Sequence, residues 1–183
     1  MQFSQLVLQR ESTRRYDAKP VEREKIMQIL EACRMAPSAC NAQPWRFVIA
    51  DDPAVKDELA RASYGPLLRF NKFAPQAPVI AAIVGEKPNF LSRIGGNVKD
   101  KDFYLMDIGI VAEHFCLQAA ELGLGTCMLG WFDEPRARQI LKVPDSKRIL
   151  LLITLGYPAK EGVRKKIRKS MEQLVGWNRY TES

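Results

Sequence analysis

The chain carries, directly after a short apolar segment at residues 3–8, the stretch Arg10-Glu11-Ser12-Thr13-Arg14-Arg15. The guanidinium groups of Arg10 and Arg14 thus flank the hydroxyl of Ser12 within a few positions. Arginine presents a planar fork of donors that binds a phosphate through two hydrogen bonds, and serine adds a short donor. The stretch indicates a clamp for an anion, although a solvated basic loop has the same composition.

The pattern on either side of this stretch predicts one domain of the α/β or α+β class over residues 1–183. Helical spacing of apolar residues, with Pro and Gly at the ends, predicts helices over 21–35, 53–62, 103–122 and 134–142. Apolar runs predict strands over 47–50, 79–84, 126–129 and 148–155. The run over 79–84 is apolar throughout, which is typical of a strand buried on both faces. Helices that alternate with buried strands form a layered sandwich.

Two segments have no obvious place in the core of a single chain. The helix over 103–122 is apolar on nearly all faces, which indicates a central helix or one shared with a second subunit. The chain beyond Ala159 offers no core residues, so it either frays or contacts a partner. On the same helix, the single histidine, His114, is interpreted as a core or interface residue and Asp107 as a structural carboxylate.

Composition argues against several classes of protein. Hydrophobic residues make up 46% of the chain and charged residues 27%, as in soluble globular proteins. No apolar run approaches the roughly 20 residues that span a bilayer, and the N-terminus has no basic n-region, so a cytoplasmic location is expected. Four cysteines without a C-x-x-C pair, together with one histidine, predict no metal site and no redox dithiol.

The net charge of +7 is partly concentrated near the C-terminus, where residues 163–169 read Val-Arg-Lys-Lys-Ile-Arg-Lys. No aromatic residue interrupts this cluster, which weakens it as a surface for stacking nucleic-acid bases. From the charge alone, an anionic small molecule, a nucleic acid, a membrane surface and a solvated tail are all open explanations.

Two further motifs narrow these explanations. Residues 36–45 read Ala-Pro-Ser-Ala-Cys-Asn-Ala-Gln-Pro-Trp, and residues 123–130 read Gly-Leu-Gly-Thr-Cys-Met-Leu-Gly. Together with residues 10–15 and the basic tail, they resemble the FMN-dependent nitroreductase family, whose signature is R-x-S-x-R followed by P-S-x-x-N-x-Q-P-W. The resemblance covers essentially the whole chain.

The resemblance implies a nitroreductase-like three-layer α/β/α sandwich with a mixed central sheet. It also implies a homodimer that holds FMN at the subunit interface, with the C-terminal tail exchanged across the dimer. The implied activity is that of an NAD(P)H-dependent oxidoreductase. Hydride passes from the nicotinamide through flavin N5 to an electron-poor acceptor, such as a nitroaromatic or a quinone, in a ping-pong mechanism. No catalytic side chain is required, and no nucleic-acid or membrane partner is expected.

The resemblance further implies particular cofactor contacts. It places the FMN phosphate against Arg10, Ser12, Lys166 and Arg168, with Glu11 in the same stretch. Arg14 would lie at the N1 and C2 carbonyl edge of the flavin, and Leu129 and Gly130 would offer backbone N–H groups to N5. The remaining predicted contacts are Asn71 at the pyrimidine edge and, in the loop that faces the flavin of the other subunit, Pro37, Ser38, Ala39 and Asn41.

Two alternatives stay open. Within the same fold, a specialised flavin enzyme could dehalogenate its substrate reductively or consume its own flavin, with residues 85–102 as a lid over the ring. In a different class, a basic nucleic-acid-binding domain would use the cluster at residues 163–169.

The predicted homodimer can be tested on the purified protein. Each site would combine residues 10–14 of one chain with residues 37–39 of the other, so flavin binding requires the pair. Light scattering should therefore give about twice the chain mass of 20.8 kDa. A stable monomer that binds FMN tightly would contradict the shared site.

Overall fold

The computed structural model describes residues 1–65, 71–86, 102–160 and 162–180. The helices and strands in these ranges are α1 (Phe3–Gln9), α2 (Arg23–Arg34), β1 (Trp45–Ala50), α3 (Pro53–Arg61), β2 (Val79–Gly85), α4 (Phe103–Glu121), β3 (Gly125–Leu129), α5 (Glu134–Leu141), β4 (Arg148–Gly156) and α6 (Met171–Leu174). Every predicted helix and strand is present. The sequence analysis missed α1 and α6, because both are short and neither buries a residue that would mark it.

The four strands form one sheet in the order β1-β2-β4-β3, and every neighbouring pair runs antiparallel. The sheet differs in this respect from the expected mixed sheet. Among the described residues, parallel pairing is limited to the isolated bridge between Ser12 and Thr126. The sequence could not show the direction of the strands. An apolar run indicates only that a strand is buried on both faces, and parallel and antiparallel strands can both be buried in that way.

Helices cover both faces of the sheet, which confirms the predicted three-layer sandwich. Strand β2 is buried along its whole length, and its side chains alternate between the two faces. The side chains that pack with α2 and α4 are Val79, Ala81 and Ile83. Those that pack with α3 and α5 are Ile80, Ala82 and Val84.

The helix ends follow from local sequence. The carboxylate of Asp52 accepts hydrogen bonds from the N–H groups of Ala54 and Val55, at 3.0 and 3.1 Å, and so caps the start of α3. Gly123 ends α4 in the left-handed region, at φ 76°, where a glycine avoids the cost that a side chain would impose. This is the helix end that the glycine predicted.

Helix α4 is buried on one side only in the single chain. It packs against both α1 and α2. Yet exposed apolar side chains lie on these three helices and on the residue just after α2, namely Phe3, Leu8, Met27, Met35, Leu105, Met106 and Ile110. The described residues beyond Ala159 are exposed except for the half-buried Lys166. Of the two expectations for α4, the structure therefore disagrees with a fully enclosed central helix and leaves an apolar face for a partner.

Residues 12–16 are attached to strand β3 and to the core. The N–H of Thr13 donates to the carbonyl of Thr126 at 2.8 Å. A Cβ on Gly125 would lie 2.3 Å from Oγ1 of Thr13, so only glycine lets the segment approach this closely. Below the segment, the hydroxyl of the buried Tyr16 bonds both the carbonyl of Thr13, at 2.9 Å, and Oγ1 of Thr154, at 2.7 Å.

Replacing Tyr16 with phenylalanine should destabilise the fold. The change leaves a buried carbonyl and a buried hydroxyl with one partner fewer, which costs about 1–3 kcal/mol of unfolding free energy. Urea unfolding measures the loss, and Tyr180→Phe is the matched control, because Tyr180 is 90% exposed and should change stability by less than about 0.5 kcal/mol. Equal stability of the two variants would show that the Tyr16 hydroxyl contributes nothing.

Candidate cofactor site

A cavity of about 490 Å³ lies between the segment at residues 10–15 and the start of the C-terminal tail. Its charged lining residues are Glu11, Arg14, Arg15, Lys160 and Arg164. A neighbouring cavity of about 290 Å³ shares Glu11 and Lys160 and reaches Arg10. Since cations outnumber the single carboxylate in this lining, the two cavities suit an anionic ligand.

The tail is held against the segment at residues 10–15 by polar contacts of Lys166 and Arg164. Nζ of Lys166 donates to the carbonyl of Arg10. Arg164 pairs with the carboxylate of Glu11, with 3.1 Å between Nε and Oε2, and its Nη2 donates to the carbonyl of Ser12 at 2.7 Å. Partial burial, followed by the charge of Arg10, lowers the pKa of Lys166. The structure thus brings together the basic groups from the two ends of the sequence.

Arg10 and Arg168 differ in their surroundings. Nε of Arg10 is buried and makes no hydrogen bond within the described residues, and it lies 3.5 Å from a carboxylate oxygen of Glu113. Arg168 is exposed, and its Nη1 donates to the carbonyl of its neighbour Ile167 at 2.7 Å. Arg168 lines neither cavity, so the single chain does not bring it to the predicted site.

Ser12 and Arg14 also affect the thiol of Cys127 on strand β3. Burial raises the pKa of Cys127, while the positive charge of Arg14 and a hydrogen bond with Ser12 act in the opposite direction. The thiol therefore stays protonated and inert at neutral pH. The contact with Ser12 agrees with the backbone bridge between Ser12 and Thr126, the residue before Cys127 on β3.

The predicted loop at residues 37–43 lies elsewhere on the chain, and none of its residues lines either cavity. Ser38 Oγ accepts from the N–H of Gln43 at 2.9 Å, and the side chain of Gln43 donates to Asn41 Oδ1 at 2.9 Å. The N–H of Ala39 donates to Oδ1 of Asp107 on α4 at 3.0 Å. These contacts fold the loop tightly on itself and attach it to α4.

Asn71, predicted at the pyrimidine edge, is buried, and its side-chain nitrogen is used within the protein. Nδ2 donates to the carbonyls of Ser63 and Trp131, at 3.0 and 3.1 Å. Asn71 therefore supports the chain just after Leu129 and Gly130. Leu129 is buried in the core, whereas Gly130 is exposed and has open space where a side chain would be.

The remaining sequence predictions have simpler outcomes. His114 is half-buried and its Nδ1 lies 2.9 Å from the carbonyl of Ile110. Within the described residues there is no group of side chains suited to a metal ion, and no helix is long and apolar enough to cross a bilayer. The predicted lid at residues 85–102 lies outside the described residues at positions 87–101.

Three charged residues that line the cavity, Arg15, Lys160 and Arg164, were not among the predicted site residues. Arg164 belongs to the basic cluster at residues 163–169, and an acidic partner in the segment at residues 10–15, Glu11, was the signal that could have identified it. Lys160 has no such signal, because it reaches the cavity only through the fold.

The chain belongs to the nitroreductase family, since the profile of that family matches residues 7–157. It is 31% identical to a protein named NADH dehydrogenase from Thermus thermophilus, over 93% of each chain. It is also 27% identical to iodotyrosine deiodinase 1 of Sus scrofa, over 95% of this chain and 68% of the relative. These findings confirm the predicted family and, with it, the predicted class of oxidoreductase.

A solved structure supports the same assignment. The chain superposes on an FMN-dependent nitroreductase from Clostridium difficile with a TM-score of 0.76 and 26% sequence identity, over 96% of this chain and 98% of the other. The predicted nitroreductase-like fold is therefore confirmed.

The position of Asn71 leads to a prediction for the protein without flavin. Asn71→Ala leaves the buried carbonyl of Ser63 and the partly buried carbonyl of Trp131 without their donor, so it should lower the unfolding free energy of the apoprotein by about 1–3 kcal/mol. Gln139→Ala, at an exposed position on α5, should change it by less than about 0.5 kcal/mol. If Asn71 only contacted the flavin, urea unfolding of the two apoprotein variants would give equal stabilities.

Proposed function

We propose that this protein is an FMN-dependent NAD(P)H oxidoreductase that passes hydride from the nicotinamide to an electron-poor acceptor, such as a nitroaromatic or a quinone. The observation that carries the proposal is the pair of adjoining cavities with cations from both ends of the chain. Family membership supports the redox chemistry, and the names of two similar proteins, an NADH dehydrogenase and an FMN-dependent nitroreductase, support a nicotinamide donor and FMN.

The residues around the cavities fit the phosphate of FMN. Nε of Arg10 is a buried donor without a hydrogen bond in the described parts of the chain, and a phosphate oxygen is a suitable acceptor for it. Ser12 and Lys166 would complete the anion site, and the Arg164–Glu11 pair would hold the tail in place. Arg168 stays a predicted contact, one that requires the tail to shift from its position in the single chain.

Bound FMN would supply the hydride acceptor and donor, at its N5 atom. The protein's part is to bind, orient and tune the ring. Arg14 would place a fixed cation beside the N1 and C2 carbonyl edge, where negative charge gathers on reduction, and so favour the reduced form. Backbone N–H groups of Leu129 and Gly130 would orient toward N5, and no side-chain acid or base is assigned.

The site would be completed in a homodimer. The loop at residues 37–43 lies away from the cavities of its own chain, α1, α2 and α4 each carry some exposed apolar residues, and the tail beyond Lys166 has no core to pack on. A second copy of the chain would cover this apolar face and bring its own Pro37, Ser38, Ala39 and Asn41 to the flavin. The NAD(P)H and the acceptor would then take turns on the exposed face of the ring.

One alternative has its own observation. The match to iodotyrosine deiodinase 1 over most of the chain favours, as a second candidate, a flavin enzyme that reductively removes a halogen. The nucleic-acid alternative is weaker, because Arg164 and Lys166 of the basic cluster are engaged by Glu11 and the Arg10 carbonyl.

A spectrum and a reduction assay test the proposal. The purified protein should show flavin absorbance bands at about 370 and 450 nm. NADH and NADPH, added anaerobically and in parallel, should bleach the upper band, and nitroaromatics, quinones and halogenated phenols should then restore it. A protein that binds no FMN would rule out both flavin functions, whereas recovery by halogenated phenols alone would favour the second candidate.

Arg10→Ala should weaken FMN binding by about tenfold to a hundredfold, because a charge-assisted hydrogen bond contributes roughly 1.5–3 kcal/mol. Fluorescence titration of the apoprotein with FMN measures the effect. Arg23→Ala, at an exposed position on α2, is the matched control and should bind like the unmodified protein. Unchanged affinity of Arg10→Ala would contradict the phosphate site, and the same titration of Arg168→Ala decides whether the tail reaches FMN.

A further inference from the structure

The loop at residues 37–43 has an unusual backbone. Three of its residues, Cys40, Asn41 and Gln43, lie in the left-handed region, at φ 50°, 50° and 44°. None of them is glycine, so each is held in a conformation that its side chain disfavours. Such residues persist only where the surrounding structure fixes them, and they occur preferentially at ligand-binding sites.

Most contacts that fix this loop come from within it or from its ends. Ser38 and Asn41 both bond Gln43, and the carbonyl of Pro44 accepts from the N–H of Glu86 at 3.0 Å. The contact with α4 is different, since it joins the loop to the helix that separates the sheet from the exposed apolar face. It is the hydrogen bond from the Ala39 N–H to Oδ1 of Asp107.

Asp107 is costly to bury at this position. Asp107 is only 3% exposed, and its second carboxylate oxygen, Oδ2, makes no hydrogen bond in the described parts of the chain. A buried carboxylate loses hydration that a single hydrogen bond does not restore. The neighbouring core positions of α4, Ile108 and Val111, are apolar, and an apolar residue would avoid this cost at position 107 also. What aspartate provides at position 107, and an apolar residue could not, is therefore the hydrogen bond to the Ala39 N–H.

We propose that Asp107 is a positioning residue, which holds the loop at residues 37–43 in the left-handed conformation that binds FMN. It acts through the Ala39 N–H and makes no contact with the flavin itself. The inference rests on the proposed function, because the loop's contact with FMN belongs to that proposal.

Two substitutions at this position separate the hydrogen bond from the charge. Asp107→Ala removes the acceptor and should weaken FMN binding by about tenfold. Asp107→Asn keeps an oxygen acceptor at the same place and should stay within about threefold of the unmodified protein. The matched control is Asp102→Ala, which removes an aspartate from the start of the same helix, where it caps the N–H of Leu105 at 3.2 Å. That control should lower stability without changing FMN affinity.

A rescue variant distinguishes positioning from general stability. Glycine adopts φ 50° without strain, so Cys40→Gly lowers the cost of the loop conformation that Asp107 maintains. Adding Cys40→Gly to Asp107→Ala should recover at least threefold of the lost FMN affinity. If Asp107 only stabilised α4, the added glycine would recover none of it.

Hydrogen exchange of the apoprotein gives a readout that needs no flavin. In the unmodified protein and in Asp107→Asn, the peptide that covers residues 37–44 should exchange more slowly than the exposed tail at residues 171–180. In Asp107→Ala this protection should be lost. A loop that exchanges as fast as the tail in the unmodified protein overturns the proposal, even if the alanine variant does not fold.

The failures of the two proposals are distinguishable. If Arg10→Ala weakens FMN binding and Asp107→Ala stays within twofold of the unmodified protein, the role of Asp107 is wrong and the proposed function stands. If Arg10→Ala leaves the affinity unchanged, the phosphate site is wrong, and the exchange experiment still decides whether Asp107 holds the loop.

Discussion

The pairing of Ser12 and Thr13 with Thr126 is the interaction on which the rest of the site depends. It extends the charged segment along the edge strand β3, where Gly125 permits close contact and Tyr16 secures the Thr13 carbonyl from the core. Loops that carry binding groups need such a rigid support, since misplaced donors lose most of their value. The tail and both cavities are built on this one attachment.

The electrostatics of the site follow from where the cations are placed. Lys166 lies against the carbonyl of Arg10, and partial burial, followed by repulsion from the charge of Arg10, lowers the pKa of Lys166. Glu11 offsets part of this repulsion by pairing with Arg164. The remaining positive charges repel one another in the chain alone. A bound anionic ligand would turn this unfavourable electrostatic energy into a favourable one. The strained loop and the exposed apolar face of α4 also have an energetic cost that nothing in the single chain explains.

The loop and the apolar face are connected through the same helices. The loop begins just after α2 and is attached to α4 through Asp107, and both helices carry exposed methionines, Met27 on α2 and Met106 on α4 among them. In the proposed dimer, a second copy that covers these methionines would meet the loop as well. Dimerisation and cofactor binding would then depend on the same surface, so that a subunit unable to dimerise would also be unable to bind FMN.

Hydrophobic periodicity by itself determined all the strands and the long helices, because burial requires an apolar residue at each inward position whatever the partner. The motifs determined the family, and they identified Arg10, Ser12, Arg14 and Lys166, which lie near one another in the fold. Tertiary structure alone decided the antiparallel order of the strands, the place of Lys160 and the burial of Asn71 against Ser63 and Trp131. It also decided that Asp107 reaches the Ala39 N–H. These features depend on which segments meet in space, and a residue's type records its own burial but not the identity of the neighbour it meets.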